Sequence, residues 1–231
     1  NFSEYQDSLK YFINEFINEY VVKIKKNQNH IVKKYFDKMP DVSKVMVLQT
    51  LTNSIGLLRK YDFLNIKNFL NKNEIGRIYK SRFGWDLLVD RQYYILMYQK
   101  DLLRDNKVEI VLGQKTHYLG YDYICVKTNS MENLSDDPNL EFIDQSKVKN
   151  KKLILRQWRS GDFFRPLGMS GNQKISDYLV NNKINRFDKL NQSVLIADDK
   201  IIWLCGHRID ETVKINSETT KVIRLKRFRS H

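Results

Sequence analysis

The hydrophobic period of this chain changes partway along, and that change limits what it can fold into. Phe2, Tyr5, Leu9, Phe12, Ile13, Phe16, Ile17 and Tyr20 recur at spacings of three and four, which is one face of an amphipathic helix. Val21 to Lys26 alternates and reads as a short strand. Pro40 precedes Asp41 and Ser43, either of which suits the start of a second helix with an apolar face of Val45, Leu48, Leu51, Ile55 and Leu58. Asn65 is placed to cap a third, short helix through Leu70. From Gly76 the period becomes two. Gly76 to Gly84, Trp85 to Val89 and Gln92 to Tyr98 read as strands, with Asp90-Arg91 as the turn between the last two. Val108 to Leu112 and Tyr118 to Thr128 continue the β pattern, and the polar stretch Asn129 to Asn139, with Pro138, reads as a loop. The expected class is α+β: a helix-rich first domain with antiparallel strands, then a small β-rich C-terminal domain with one short helix.

Charge marks the same division. Residues 146–231 carry 19 Lys and Arg against 8 Asp and Glu, whereas residues 1–145 carry 21 against 19. Nearly all of the net charge of +13 therefore sits in the last 86 residues. A compact basic segment attracts polyanions by releasing their counterions. A domain boundary is expected near residues 140–150, giving a first domain 1–145, with a connector helix over about residues 1–20, and a basic domain 146–231.

Other classes find little support. No apolar run approaches the ~18–20 residues of a membrane span, and no charged-then-apolar start suggests a signal peptide. Cys125 and Cys205 each sit in an apolar strand-like run, as buried thiols of a reducing cytoplasm do. His30, His117, His207 and His231 form no metal-type spacing. The chain opens at Asn1 directly on a helical pattern, which raises the expectation of a segment upstream.

The basic segment opens with a strand, Lys152 to Arg156, and runs into Trp158-Arg159-Ser160-Gly161-Asp162-Phe163-Phe164-Arg165-Pro166-Leu167-Gly168-Met169-Ser170-Gly171. Three glycines and a proline in this run require sharp turns. A short helix, Asp177 to Asn182, is capped at or just before Ser176. Strands Ser193 to Ala197 and Ile201 to Gly206 follow, joined by the turn Asp198-Asp199-Lys200, and the last strand is Lys221 to Phe228.

Two blocks here, Trp158 to Gly171 followed by Lys174-Ile175-Ser176-Asp177-Tyr178-Leu179, and Ile202-Trp203-Leu204-Cys205-Gly206-His207-Arg208-Ile209-Asp210, resemble the C-terminal domain of tRNA(Ile)-lysidine synthetase. That family carries a pattern like W-R-P-G-D-R-F-R-P-L-G-M, then L-S-D-x-L-I, then a W-V-x-G-x-R-I-D-like strand. The likeness covers most of residues 152–215. Ser160 stands where the family usually has Pro, Phe163 where it often has Arg, and Gln173 at one of the usual basic positions. The Phe163 change removes one candidate phosphate contact. Upstream, the helix Ser43 to Tyr61 and the β run with Val89-Asp90-Arg91 resemble the family's middle, substrate-binding domain.

The resemblance implies the recognition portion of an ATP-dependent carbon–nitrogen ligase of the cytoplasm. The full enzyme would adenylate the wobble cytidine of the CAU anticodon of tRNA(Ile), and L-lysine would displace AMP, changing AUG reading to AUA reading. ATP and Mg²⁺ are expected in an N-terminal domain with an S-G-G-x-D-S loop, which this sequence does not contain. No catalytic residue, cofactor or metal is therefore expected in this segment, and the resemblance leaves room for a homodimer. The residues expected to contact tRNA are Arg156, Arg159, Arg165, Lys174, Lys183 and Arg208, because guanidinium forks engage phosphate oxygens in pairs and such contacts position RNA without reading it. Asp162 and Asp177 are expected as a turn-former and a helix-start residue paired to arginine, and Trp158 and Trp203 as core. Of the adjacent Phe163 and Phe164, one is expected at the RNA surface. Arg59-Lys60 and the set Arg77, Lys80 and Arg82 form a candidate secondary patch. A stand-alone nucleic-acid module, and a protein-interaction module with a basic face, are the competing readings.

Overall fold

A computed structural model describes residues 2–25, 27–54, 56–99, 107–128 and 137–230. Lys26, Ile55 and the 129–136 part of the expected loop lie outside these. The chain divides into two compact units: unit 1 is Asn1–Leu102 with Asn185–Phe187, and unit 2 is Leu103–Ile184 with Asp188–His231.

Unit 1 holds α1 (Phe2–Tyr20), β1 (Val21–Lys25), β2 (Gln28–Val32), α2 (Lys33–Phe36), α3 (Asp41–Thr52), α4 (Lys60–Lys72), β3 (Ile78–Lys80), β4 (Trp85–Val89) and β5 (Tyr93–Tyr98). The strands form an antiparallel sheet in the order β1-β2-β5-β4-β3. Ile13, Val45, Leu48, Ile66 and Leu70 from the helices share a core with Ile31, Trp85, Leu87 and Leu96. Every residue of β4 is buried, because Leu88 on its other face packs with Ile95, Met97 and Phe187. The helical period of α1 is as expected, but Tyr5 and Phe12 are exposed and Ile13 is the residue it buries. α4 begins five residues before Asn65: the Asp62 carboxylate, inside the first turn, accepts the Arg59 N–H at 2.9 Å.

Unit 2 holds β6 (Val108–Glu109), β7 (Lys115–Tyr118), β8 (Tyr121–Thr128), β9 (Leu140–Asp144), β10 (Leu153–Gln157), β11 (Phe163–Phe164), β12 (Gln173–Lys174), α5 (Ile175–Asn181), α6 (Arg186–Leu190), β13 (Ser193–Ala197), β14 (Lys200–Leu204), β15 (Arg208–Ile209) and β16 (Val222–Arg229). The first turn of α6 falls in the stretch Asn185–Phe187 that clusters with unit 1. One sheet runs β15-β14-β13-β10-β6, a second runs β7-β8-β16-β9, and β11-β12 is a two-stranded ribbon. The two sheets share a core in which Tyr123, Cys125, Ile143 and Leu225 meet Leu155, Leu195, Trp203 and Cys205. The opposite face of the first sheet is covered as well: Val194, Ile196 and Leu204 pack with Phe164, Ile175 and Leu179. Burial on both faces explains why Val194–Ala197, within β13, reads as an unbroken apolar run with no polar alternation.

The α+β class expected from the sequence is borne out, with antiparallel pairing in every sheet. The division into units falls elsewhere than the step in charge. The strands over 108–144 pair with later ones, β6 with β10 and both β8 and β9 with β16, and so lie in unit 2. Ladders of backbone hydrogen bonds set the grouping here, and surface charge does not. Among the described residues, no helix is long and apolar enough to cross a membrane, and no group of three or more His, Cys, Asp or Glu is placed to hold a metal.

Candidate nucleic-acid interface

The turn after β10 is built around Asp162. Its carboxylate takes both terminal nitrogens of Arg156, at 2.7 and 2.9 Å, and the backbone N–H of Arg159 at 2.7 Å. Gly161, at φ +91°, lets the chain reverse at this point. Arg156 also donates to the Gln157 carbonyl at 2.9 Å, and its side chain is only 10% exposed. Of the expected RNA contacts, Arg156 thus points inward and holds the turn. Arg159, on the turn itself, is exposed.

The two sequence blocks meet through Asp210, which is 2% exposed. Its carboxylate accepts the Arg165 N–H at 2.8 Å and the Thr212 N–H at 2.9 Å, and Lys200 lies 3.6 Å away. Around it the Leu167 N–H donates to the Ile209 carbonyl at 3.0 Å and the Glu211 N–H to the Arg165 carbonyl at 2.7 Å. Gly168 donates its N–H to the Glu211 carboxylate at 2.8 Å. Residues some forty-five positions apart form one closed loop pair. The spacing of the motif is in this way a requirement of geometry.

Above this junction is a cleft of about 690 Å³, lined by Arg165, Phe163, Asn172, Lys151 and Lys200 among others. Phe164 is buried under the ribbon and Phe163 is 60% exposed, which is the split expected of adjacent residues on a strand. Arg165 Nε is buried with no hydrogen-bond partner among the described residues. Lys174 is exposed and lies directly across the ribbon from Phe163.

Lys183 is exposed in a left-handed turn at φ +58° after α5. Arg208 is exposed on β15, and its charge acts on Tyr178 of α5 and on Glu141 of β9. Burial pushes the Glu141 carboxyl up to about 7, opposed by Arg208 and by the Ile209 N–H. Burial and the Arg227 charge bring the His207 ring down to about 4. The Arg227 guanidinium stacks over the Tyr121 ring at 4.5 Å, donates to Asn139 at 2.8 Å and fills the space where Gly206 lacks a side chain. Sequence reasoning missed this arginine, since it is one of four basic residues in β16 and nothing local singles it out. Trp203 is fully buried, as expected, while Trp158 is half-buried and bonds through its indole N–H to the Lys189 carbonyl. Asp177 is exposed and accepts from the Ser176 hydroxyl.

Two of the five residues of the secondary patch in unit 1 are held in ion pairs. Arg82 forks onto Asp62 at 2.8 and 3.0 Å, and Arg77 holds Glu74 at 3.0 Å.

No family model matches the chain. A tRNA(Ile)-lysidine synthase of Dehalococcoides mccartyi is 26% identical over 198 residues, 80% of this chain and 41% of that protein. The enzyme of the same name from Clostridium acetobutylicum is 25% identical over 90% of this chain and 49% of its own length, and that from Bacteroides thetaiotaomicron is 42% identical over 74 residues, 32% of this chain and 17% of its own. The chain therefore spans about half the length, or less, of the curated relatives it matches. A crystal structure of a TilS C-terminal domain superposes over 55% of this chain and 98% of that domain, with a TM-score of 0.50 and 19% identity, a likeness of fold. The resemblance read from the two blocks is borne out: along up to 90% of its length, this chain is similar to the tRNA(Ile)-lysidine synthases.

Proposed function

We propose that this chain is the tRNA-recognition portion of a tRNA(Ile)-lysidine synthase, an ATP-dependent ligase that joins lysine to the wobble cytidine of a CAU anticodon. The observation that carries the reading is the Asp210 junction, which holds the two family-like blocks together beneath a cleft with Arg165 in its wall. Arg159, Arg165, Lys174, Lys183 and Arg208 are the phosphate contacts in this reading, and Arg156 acts through Asp162 to set the turn that carries Arg159. The work of these side chains is to hold the RNA backbone in register so that one base reaches an active site elsewhere. Unit 1 takes the place of the middle, substrate-binding domain.

ATP, Mg²⁺, lysine and the chemistry itself belong, in this proposal, to a domain outside these residues. The described residues offer no carboxylate and histidine cluster for a metal, and the sequence has no S-G-G-x-D-S or Walker-type loop. The cytoplasm and a homodimeric assembly go with the same full-length reading.

The test is binding of the chain to tRNA(Ile) with a CAU anticodon against a methionine tRNA with the same anticodon. Tighter binding of the isoleucine tRNA, with affinity falling steeply as salt rises, is the expected result. Equal, weak and purely salt-governed binding of both would sink the specificity.

A further inference from the structure

We propose that Phe163 and Arg165 form a seat for one unpaired nucleotide, with the base on the Phe163 ring and its phosphate against Arg165. The inference rests on the RNA-recognition reading and names what the cleft takes. Alternation along β11 sends Phe163 and Phe164 to opposite sides, and Arg165, just past the strand, lines the same cleft as Phe163. Phe164, 2% exposed, packs with Ile175 and Leu179, so the ribbon is anchored from below. Its anchorage holds Phe163 out at 60% exposure at the edge of the cleft. A rigid ring fixed in water beside cations is a stacking platform of the kind single-stranded RNA uses.

Lys151, Arg165 and Lys200 line the cleft beside Phe163, together with Asp162, Asp198, Asp199 and Asp210. Lys174 stands directly opposite Phe163 across the ribbon, where side chains on one face meet. Arg165 lines the cleft; its Nε is buried with no hydrogen-bond partner among the described residues, and its charge also acts on Glu211. The carboxylates of the cleft are mostly engaged by the protein itself: Asp162 by Arg156, Asp210 by the Arg165 and Thr212 N–H groups, and Asp198 by the Lys152 N–H at 3.2 Å. The volume of about 690 Å³ lies in the range of small-ligand pockets, ~300–1,000 Å³. A base inside a duplex would have to leave its stack to reach Phe163, so the occupant is an unpaired or splayed nucleotide. Stacking accepts any base, so the seat selects for single-strandedness and not for sequence.

The experiment titrates the 231-residue chain with a labelled short single-stranded RNA and, separately, with a blunt RNA duplex. Phe163→Ala is expected to weaken single-strand binding roughly 5- to 150-fold, the range for loss of one stacked base. Duplex binding and the salt slope on both probes should be unchanged, and Phe163→Trp should restore the single-strand affinity. Arg165→Gln should instead reduce the single-strand salt slope by about 0.7, one phosphate contact. Because Phe163 is exposed, its loss opens no cavity, and an unchanged Tm confirms that the variant folds. If the parent chain binds both probes and Phe163→Ala binds them just as well, or loses equally on both, the nucleotide seat is wrong and the RNA-recognition reading stands. If the parent chain binds neither probe nor tRNA at low salt, that reading falls and the seat with it.

Discussion

Arg156 and Arg159 stand three residues apart in one motif and do opposite work. Arg156 is bound into a fork with Asp162, the two side chains 10% and 15% exposed. Removing one member of such a pair leaves a charge buried without compensation. Arg156→Ala is expected to destabilise unit 2 by about 3–5 kcal/mol in urea unfolding, whereas Arg159→Ala should stay within about 0.5 kcal/mol and act on RNA affinity instead. Equal stability losses for the two variants would contradict this division. The sequence shows two arginines in a turn. Only the direction in which each side chain leaves the backbone separates them, and nothing in the residue names records it.

Two titrating side chains of unit 2 act in opposite senses on stability. Glu141 has a folded pKa of about 7, raised from its ordinary value by burial. Between about pH 4.5 and 7 the folded state holds a proton that the unfolded chain has released, so this group's contribution is complete below that window and fades as pH rises through about 7. His207, brought down to about 4, is neutral when folded and charged when unfolded between about pH 4 and 6.5, so its contribution is complete above 6.5 and fades as pH falls. The two offset each other in the overlap. Glu141→Gln should therefore unmask a stability that climbs with pH up to about 6.5 and then levels, and His207→Gln one that declines steadily to about 7, both read by denaturant unfolding across pH. A flat profile in both variants would remove either group from the balance.

At the level of elements, the hydrophobic period located β4, β5, β10, β13, β14 and β16 within a residue or two, because each has a long apolar or strictly alternating run. It missed β2, β7 and β9, whose residues include polar ones with no clear face, and the short α2 and α6, which are too brief to show a helical period. The start of α4 escaped for a different reason: the capping carboxylate, Asp62, lies within the first turn and not ahead of it. The motif itself was legible as a pattern of residue types. Its cause was not, since the Asp210 junction is a contact across forty-five positions. Asp210→Ala would strip buried N–H groups of their acceptor, each costing about 1–3 kcal/mol. The expected result is a loss of about 2–5 kcal/mol in stability, with protease cutting between Arg165 and Met169 appearing before global unfolding. Stability equal to that of the parent chain would show the junction to be dispensable.

At the scale of the whole molecule, charge and topology divide the chain differently. The basic excess begins near residue 146, while the paired strands of unit 2 reach back to Val108. The reason lies in β16, which is paired on both sides, with β8 along eight residues and with β9 along five. That placement has a consequence for synthesis. Of the four strands in this sheet, the interior strand β16 is made last, after both of its neighbours. Until Val222–Arg229 have been translated, β8 and β9 wait with open edges, the state in which chains pair with the wrong partner. The second sheet of unit 2 therefore cannot be completed until β16 is made. A message cut short by a few codons before β16 yields a chain that cannot close its second sheet, so that sheet is assembled only on chains translated that far.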